Sequence, residues 1–426
     1  MSSALNSSKD ADFASCEPGR KLLSLTIPEP SARPGQTPNF DKLGLTQSEC
    51  PNLLPNDVPA RETHGHAYGL IQVLNKDAEA TGPWAPTIAP DVLRAGLRAM
   101  LMTRIYDEHM FKAQRQGKTS FYMKSRGEEA VGVAQAYALS PTDMCFPTYR
   151  LQSLLIARGY PLLQMMGQIY SSALDPLKGR QMPVLYSSRE FNYFSQSANL
   201  GTQYPHAVGW AMGSALSGDH RIASAWIGDG ATAEGDFHYA LTFASVYKAP
   251  VILNIVNNQW AISSFQGIAG GIAAPFAARG IGYGLPTLRV DGNDFLAVYA
   301  VTHWAANRAR SNHGATVIEL VTYRAEGHST SDDPTRYRPV DEPAGWPLGD
   351  PIERLKIHLI KRGEWSEDNQ RALQEELTAL IRQTQREAEA VGTLMSGTKS
   401  DPRTLFDDVY KSADWRLTQQ RERAGL

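Results

Sequence analysis

The sequence predicts an α/β fold: a parallel sheet flanked by helices, with an extended N-terminal arm and a C-terminal helical appendage. Three observations point to it. Short apolar runs, IASAWI (222–227), PVILNIV (250–256), TLRV (287–290) and TVIELVTYR (316–324), alternate with stretches of helical period. That spacing suits βαβ units, whose parallel strands are covered on both faces. Residues 1–64 are rich in Pro, Ser, Asn and Asp, as in PEPSARPGQTPN, and lack periodicity, which suits an extended or disordered arm. Beyond residue 346, IERLKIHLIKRG and EDNQRALQEELTALIRQTQREAEAVG read as charged amphipathic helices. The expected division is therefore an arm over 1–64, an α/β domain over 65–345 and a helical segment over 346–426.

The elements follow in order. A helix is expected over 90–116, because Leu93, Leu97, Leu101, Ile105 and Met110 fall near one stripe, and Gly117 reads as its stop. Shorter helical patterns cover 128–139 and 151–158. Helices over 233–248 and 294–311 separate the later strands. There is no internal repeat.

Composition bounds the function. Of 426 residues, 42% are hydrophobic and 20% charged, ordinary for a globular protein. A formal net charge of -2 gives no electrostatic case for nucleic acid or an acidic membrane surface. No window approaches the roughly 20 apolar residues of a membrane helix, and MSSALNSSKDADF has no apolar core for a signal peptide. The three cysteines, Cys16, Cys50 and Cys145, are too widely spaced for a metal or redox pair, which fits a reducing cytoplasm.

Ligands of parallel α/β sheets sit at the carboxyl ends of strands. Three of these ends are polar: Gly228-Asp229-Gly230, Asn257-Asn258-Gln259-Trp260, and Tyr323-Arg324 followed by Gly327-His328-Ser329. Asp229 and Asn258 lie 29 residues apart, the length of strand end, helix and adjacent strand end. A carboxylate beside a carboxamide, with a backbone carbonyl near, suits Mg²⁺, a hard ion that shares oxygen ligands with phosphates. Flanking glycines let backbone N–H groups approach a diphosphate.

GDG, 26 residues, then NN resembles the diphosphate-binding signature of thiamine-diphosphate enzymes. The likeness extends further. SFYMKSRGEEAVGVAQAYAL, CFPTYR, DPLKGRQMPV, NLGTQYPHAVGWAMG, RVDGNDFLAVYA, TYRAEGHSTSDDPTRYR and LFDDVY resemble the α subunits of branched-chain 2-oxo acid dehydrogenases, over residues 65–415. The run GHSTSDD is the most specific; pyruvate-specific relatives tend to read GHSMSDP.

The resemblance implies a thiamine-diphosphate-binding fold. It implies Mg²⁺ held by Asp229, the Asn258 side chain and the Trp260 carbonyl, with Gly230 and Ala231 meeting the diphosphate through their backbone. Tyr149 and Arg150 match the pair that reaches the diphosphate, and Leu200 a position at the aminopyrimidine. His328 matches the active-site histidine that assists acyl transfer to lipoamide. Arg324 is expected to anchor the loop or the phosphate. Ser197, Asn199, Thr202 and Gln203 align with a structural K⁺ site. Ser329 aligns with a phosphorylated position in some relatives, but nothing in the chain points to a kinase and a plain loop serine is the favoured reading. Two departures stand out: Val256 replaces an arginine that some members place before NN, and Ala198 replaces a serine.

In that family the glutamate that activates the cofactor belongs to a separate β subunit. The resemblance therefore implies an α₂β₂ heterotetramer and a lipoyl-bearing acyltransferase partner. The α chain alone should be inactive. Pyruvate and acetoin dehydrogenase α subunits are the alternatives, and a scaffold that has lost its cofactor is a third. Gln116-Gly117-Lys118-Thr119-Ser120 is only half a P-loop: position 112 is Lys where Gly is required, and a helix precedes it. GIGYG (280–284) fails the nicotinamide-binding pattern.

Overall fold

A computed structural model describes residues 27–46, 52–407 and 410–426. Its centre is a five-stranded parallel sheet. The strands are β1 (Met144–Phe146), β2 (Ala223–Gly228), β3 (Val251–Asn257), β6 (Thr287–Asp291) and β7 (Thr316–Val321), in the order β1-β2-β3-β7-β6. A separate antiparallel hairpin, β4 (Trp260–Ala261) with β5 (Ser264–Phe265), follows β3 directly.

The central strand β3 shows why the runs read as continuously apolar. Val251, Leu253 and Ile255 point to one face, where they meet Tyr204, Val208, Phe237 and Leu241. Ile252 and Val256 point to the other, into a larger core with Leu97, Val131, Trp226 and Val301. Alternation of side chains along a strand sends each set to a different helical layer. Asn254 interrupts the pattern without an orphaned amide: it donates to Ser224 Oγ and the Ala225 carbonyl, both at 2.9 Å, and accepts from Gln135 at 2.7 Å.

The long helix Pro90–Arg115 buries Leu93, Leu97, Leu101 and Met110, with Ile105 at the margin. It ends before Gly117, which has φ +73°. Helices Pro351–Lys361 and Glu367–Val391 pack on it, and Leu355, Leu359 and Ile381 share its core. Lys118 is committed to Glu389 of the second of these helices at 2.8 Å. The described part of the arm lies on the domain. Phe40, Leu43 and Leu45 pack beside Tyr323 and Trp346, and Arg308 and Arg289 donate to carbonyls of Val58 and Gly44. Of the extended or disordered arm expected over 1–64, residues 1–26 and 47–51 lie outside the described residues, and Cys16 and Cys50 with them; Cys145 is a buried free thiol.

Helices Leu162–Tyr170 and Gln203–Leu216 and the strand β1 were not foreseen. The last strand stops at Val321, short of residue 324. Its hydrogen bonding to the β3 side nonetheless continues, with Thr322 and Arg324 N–H groups donating to the Asn257 and Asn258 carbonyls. Among the described residues no helix is long and apolar enough to cross a membrane.

Candidate functional site

The register of the sheet builds the site. Gly228 lies opposite Val256 in the β2–β3 ladder, so the residues that follow each strand, Asp229 and Asn258, emerge side by side. They open on a cleft of about 590 Å³. It is lined by Tyr149, Arg150, Leu200, Asp229, Gly230, Ala231, Asn258, Trp260 and His328 of the expected residues, and also by Glu128.

Asp229 is almost wholly buried. Its Oδ1 accepts from the Gly230 N–H at 2.9 Å, while its Oδ2 is buried with no partner. Burial pushes this carboxyl up to about 7, against the opposing pull of the Gly230 N–H and Arg324. A buried carboxyl oxygen with no hydrogen-bond partner is a natural ligand for a cation. Asn258 donates from Nδ2 to Glu128 Oε1 at 2.8 Å, and its Oδ1 is only loosely met by the Trp260 N–H at 3.3 Å. The Trp260 carbonyl accepts from Arg324 Nη1 at 2.9 Å and keeps a second lone pair. A carboxylate, a carboxamide and a carbonyl oxygen are a hard, oxygen-only donor set of the kind Mg²⁺ takes.

The two glycines serve different neighbours. A Cβ on Gly230 would lie 2.5 Å from the Ala261 Cβ of the hairpin, whereas a Cβ on Gly228 would meet no atom within 4 Å. Gly230 therefore admits the hairpin against the loop, and Gly228 leaves space in the cleft.

On the opposite wall Arg150 is nearly buried and fixed on several sides. Its Nη2 donates to the His328 carbonyl at 2.7 Å and lies 3.3 Å from His328 Nδ1; its Nη1 donates to the Lys124 carbonyl; its Nε faces Glu128 Oε1 at 3.5 Å. Tyr149 packs edge-on to His328, ring centroids 5.8 Å apart. Burial and the adjacent guanidiniums of Arg150 and Arg324 drive the His328 imidazole down to about 3, so it is neutral at physiological pH. The His328 backbone N–H, not its ring, donates to Asp332 Oδ2 at 2.6 Å and fixes the loop that carries it.

Arg324 stands outside the cleft lining. Its N–H groups are committed to the carbonyls of Trp260, Ile262 and Glu326 and to the Tyr337 hydroxyl, at 2.7–3.2 Å. It braces the hairpin and the loop from behind. Val256 is buried, and among the described lining residues Arg150 is the one permanent cation. Nearby, Gln203 Oε1 is buried without a partner, and the Thr202 hydroxyl donates to the Asn199 carbonyl at 3.2 Å.

With this geometry in place, comparison with known proteins gives a consistent result. Residues 97–395 match the family described as the dehydrogenase E1 component. The chain belongs to the dehydrogenase E1 component family. It is 55% identical to the 2-oxoisovalerate dehydrogenase subunit alpha of Pseudomonas aeruginosa over 404 residues, 95% of this chain and 98% of that protein. It is 36% identical to the mitochondrial 2-oxoisovalerate dehydrogenase subunit alpha of Mus musculus, covering 91% of this chain and 84% of the relative. An Arabidopsis thaliana mitochondrial subunit alpha 2 is 39% identical over 75% of this chain and 67% of its own length.

One cleft residue of this E1 chain went unread in the sequence. Glu128 is 2% exposed and touches both Asn258 and Arg150. Burial raises its carboxyl to about 7, with Arg150 and the Asn258 amide pulling the other way. In SRGEEA it reads as one acid of a solvated helix start, and only its partners distinguish it from Glu129. That neighbour turns away, to Arg104 at 2.7 Å and the Gly127 N–H at 2.8 Å.

Proposed function

We propose that this chain is the α subunit of a thiamine-diphosphate-dependent branched-chain 2-oxo acid dehydrogenase. In this reading it takes part in decarboxylating 2-oxoisovalerate-type acids and passing the acyl group to a lipoyl group on an acyltransferase partner. The observation that carries the reading is the pairing of Asp229, with its orphaned Oδ2, and Asn258 at adjacent strand ends. The names of the relatives and the run GHSTSDD favour branched-chain acids over pyruvate or acetoin.

The donor set fits Mg²⁺: Asp229, the Asn258 side chain and the Trp260 carbonyl would hold it. Gly230 and Ala231 would face the diphosphate through their backbone, with Tyr149 and Arg150 opposite, and Leu200 would meet the aminopyrimidine. With Val256 in place of a cation, Arg150 carries the protein's charge toward the diphosphate alone, as a charge-assisted donor. Arg324 would act on the cofactor only through the Trp260 carbonyl it holds. Bound thiamine diphosphate supplies the carbanion chemistry; the protein supplies placement and electrostatics. His328, neutral and with its backbone N–H held by Asp332, can accept or donate one proton in the cleft. The orphaned Gln203 Oε1, with Ser197, Asn199 and Thr202, supports a K⁺ site.

Apolar side chains at the cleft and beside it support a covering β subunit in an α₂β₂ heterotetramer. Leu200, Ile262 and Ile268 are each more than half exposed on this chain, and Tyr239, Phe243, Val246 and Tyr247 form an exposed stripe on helix Gly235–Val246. Three widely spaced cysteines support a cytoplasmic location, and an arm, domain and helical segment divided near residues 65 and 345 remain our organisation of the chain. The test is calorimetric titration of the assembled α/β complex with thiamine diphosphate. Binding should require Mg²⁺ and be abolished by Asp229→Ala; binding unaffected by that substitution would overturn the assignment.

A further inference from the structure

The reading above places a metal against Asn258 but leaves open what points the carboxamide oxygen, rather than its NH₂, at the ion. The two ends of an Asn amide have nearly the same shape, so a neighbour must decide between them. The neighbour here is Glu128. Its backbone is fixed independently of the cleft. The preceding Gly127 carbonyl accepts from the Thr322 hydroxyl at 2.7 Å, and Glu128 N–H donates to the Ser125 carbonyl at 2.8 Å. Gly127 itself, at φ +95°, packs so closely on the Tyr323 carbonyl that a Cβ would lie 2.1 Å from it. The side chain is thus delivered to the cleft wall by the end of β7.

From there Glu128 reaches two residues of the site. Oε1 takes the Asn258 Nδ2 donor at 2.8 Å, and the same oxygen lies 3.5 Å from Arg150 Nε. In this contact Glu128 Oε1 is the acceptor, so it binds the NH₂ end of the amide and turns Oδ1 away from itself. His328 meets Arg150 Nη2 and the Lys124 carbonyl takes one Nη1 donor, so Glu128 steadies the Nε side and a second Nη1 N–H is left for the cleft.

Resting on the metal reading given above, we infer that Glu128 is a positioning residue for the metal and the diphosphate. It fixes the Asn258 carboxamide with its oxygen toward the ion and sets the plane of Arg150. It touches neither cofactor nor substrate itself. Outer partners that orient metal ligands typically change metal affinity 10–100-fold when removed.

The experiment is a calorimetric titration of the α/β complex with thiamine diphosphate at a series of Mg²⁺ concentrations, on wild type, Glu128→Gln and Glu128→Ala. The Ala variant should raise the Mg²⁺ concentration for half-saturation about 10–100-fold, with binding restored at high Mg²⁺. The Gln variant, whose carbonyl accepts the same N–H, should stay within about three-fold of wild type. Should the Ala variant fail to assemble, Glu128→Met keeps the volume without the acceptor and should shift as Ala does. A merely structural role would lower the unfolding temperature of the variants without moving the Mg²⁺ dependence, and that result would overturn the inference. So would a Gln variant as weak as Ala, which would assign the effect to charge. Wild type that binds the cofactor without Mg²⁺ would overturn the metal reading itself, and this inference with it.

Discussion

Gly228 and Gly230 flank the same acid, yet substitution separates them. Gly230→Ala drives a methyl into Ala261 and should cost about 1–3 kcal/mol, the range for overpacking, read as denaturant stability of the complex. Gly228→Ala meets no atom within 4 Å, so it should leave stability within about 0.5 kcal/mol while weakening cofactor binding by filling the cleft. Equal stability losses would contradict this division. His328, held near 3 by burial and by Arg150 and Arg324, should stay neutral in the cofactor-free complex between pH 5 and 8. An NMR titration of its ring protons with a midpoint near the ordinary 6.5 would contradict it. Asp229 and Asn258 were legible in the sequence because a βαβ unit has a nearly fixed length and parallel register does the rest. Glu128 was not, because nothing local separates it from Glu129; only the fold decides which of two adjacent acids faces the cleft.

At the scale of elements, the hairpin β4–β5 is the part most dependent on a distant residue. Gln259 and Ile262 sit at positive φ, 75° and 55°, and Arg324, in the loop just beyond β7, ties the carbonyls of Trp260 and Ile262. Removing a buried, charged donor leaves those acceptors unpaired. Arg324→Ala should therefore destabilise by about 3 kcal/mol or more and raise the Mg²⁺ requirement, although Arg324 lies outside the cleft lining. An unchanged Mg²⁺ dependence would contradict the bracing role. A second anchor is Asp107, fully buried on the long helix, which accepts from the Tyr122 and Ser125 hydroxyls, the Ser125 N–H and the Gln152 amide at 2.7–2.9 Å. Asp107→Asn turns an NH₂ against one of these donors and should cost about 1–3 kcal/mol, measured by denaturant unfolding. The sheet's longer strands were readable because both faces are buried and the runs are continuously apolar. Helix Gln203–Leu216 was not, because Gly209, Gly213 and several alanines blur its period; β1 has only three residues and carries no pattern at all.

At the scale of the whole molecule, this chain brings Asp229 and Asn258, one fixed guanidinium and one neutral imidazole to a single cleft. Leu200 and Ile262 of its lining remain exposed, as expected of a half-site that a second subunit completes. The resemblance assigns the catalytic glutamate to a β subunit, and the glutamate that lines this cleft, Glu128, is tied to Asn258 and Arg150, so the α chain alone should show no turnover. The overall architecture was legible from patterning, but the braces that join its parts, Arg324 to the hairpin and Glu128 to Asn258, are long-range contacts invisible to local periodicity. The most direct test of the account is decarboxylation by this chain co-expressed with its β subunit, supplied with thiamine diphosphate and Mg²⁺. It should compare 2-oxoisovalerate with pyruvate, in wild type and in Asp229→Ala. The account predicts a strong preference for 2-oxoisovalerate that Asp229→Ala abolishes; preference for pyruvate, or activity that survives loss of Asp229, would contradict it.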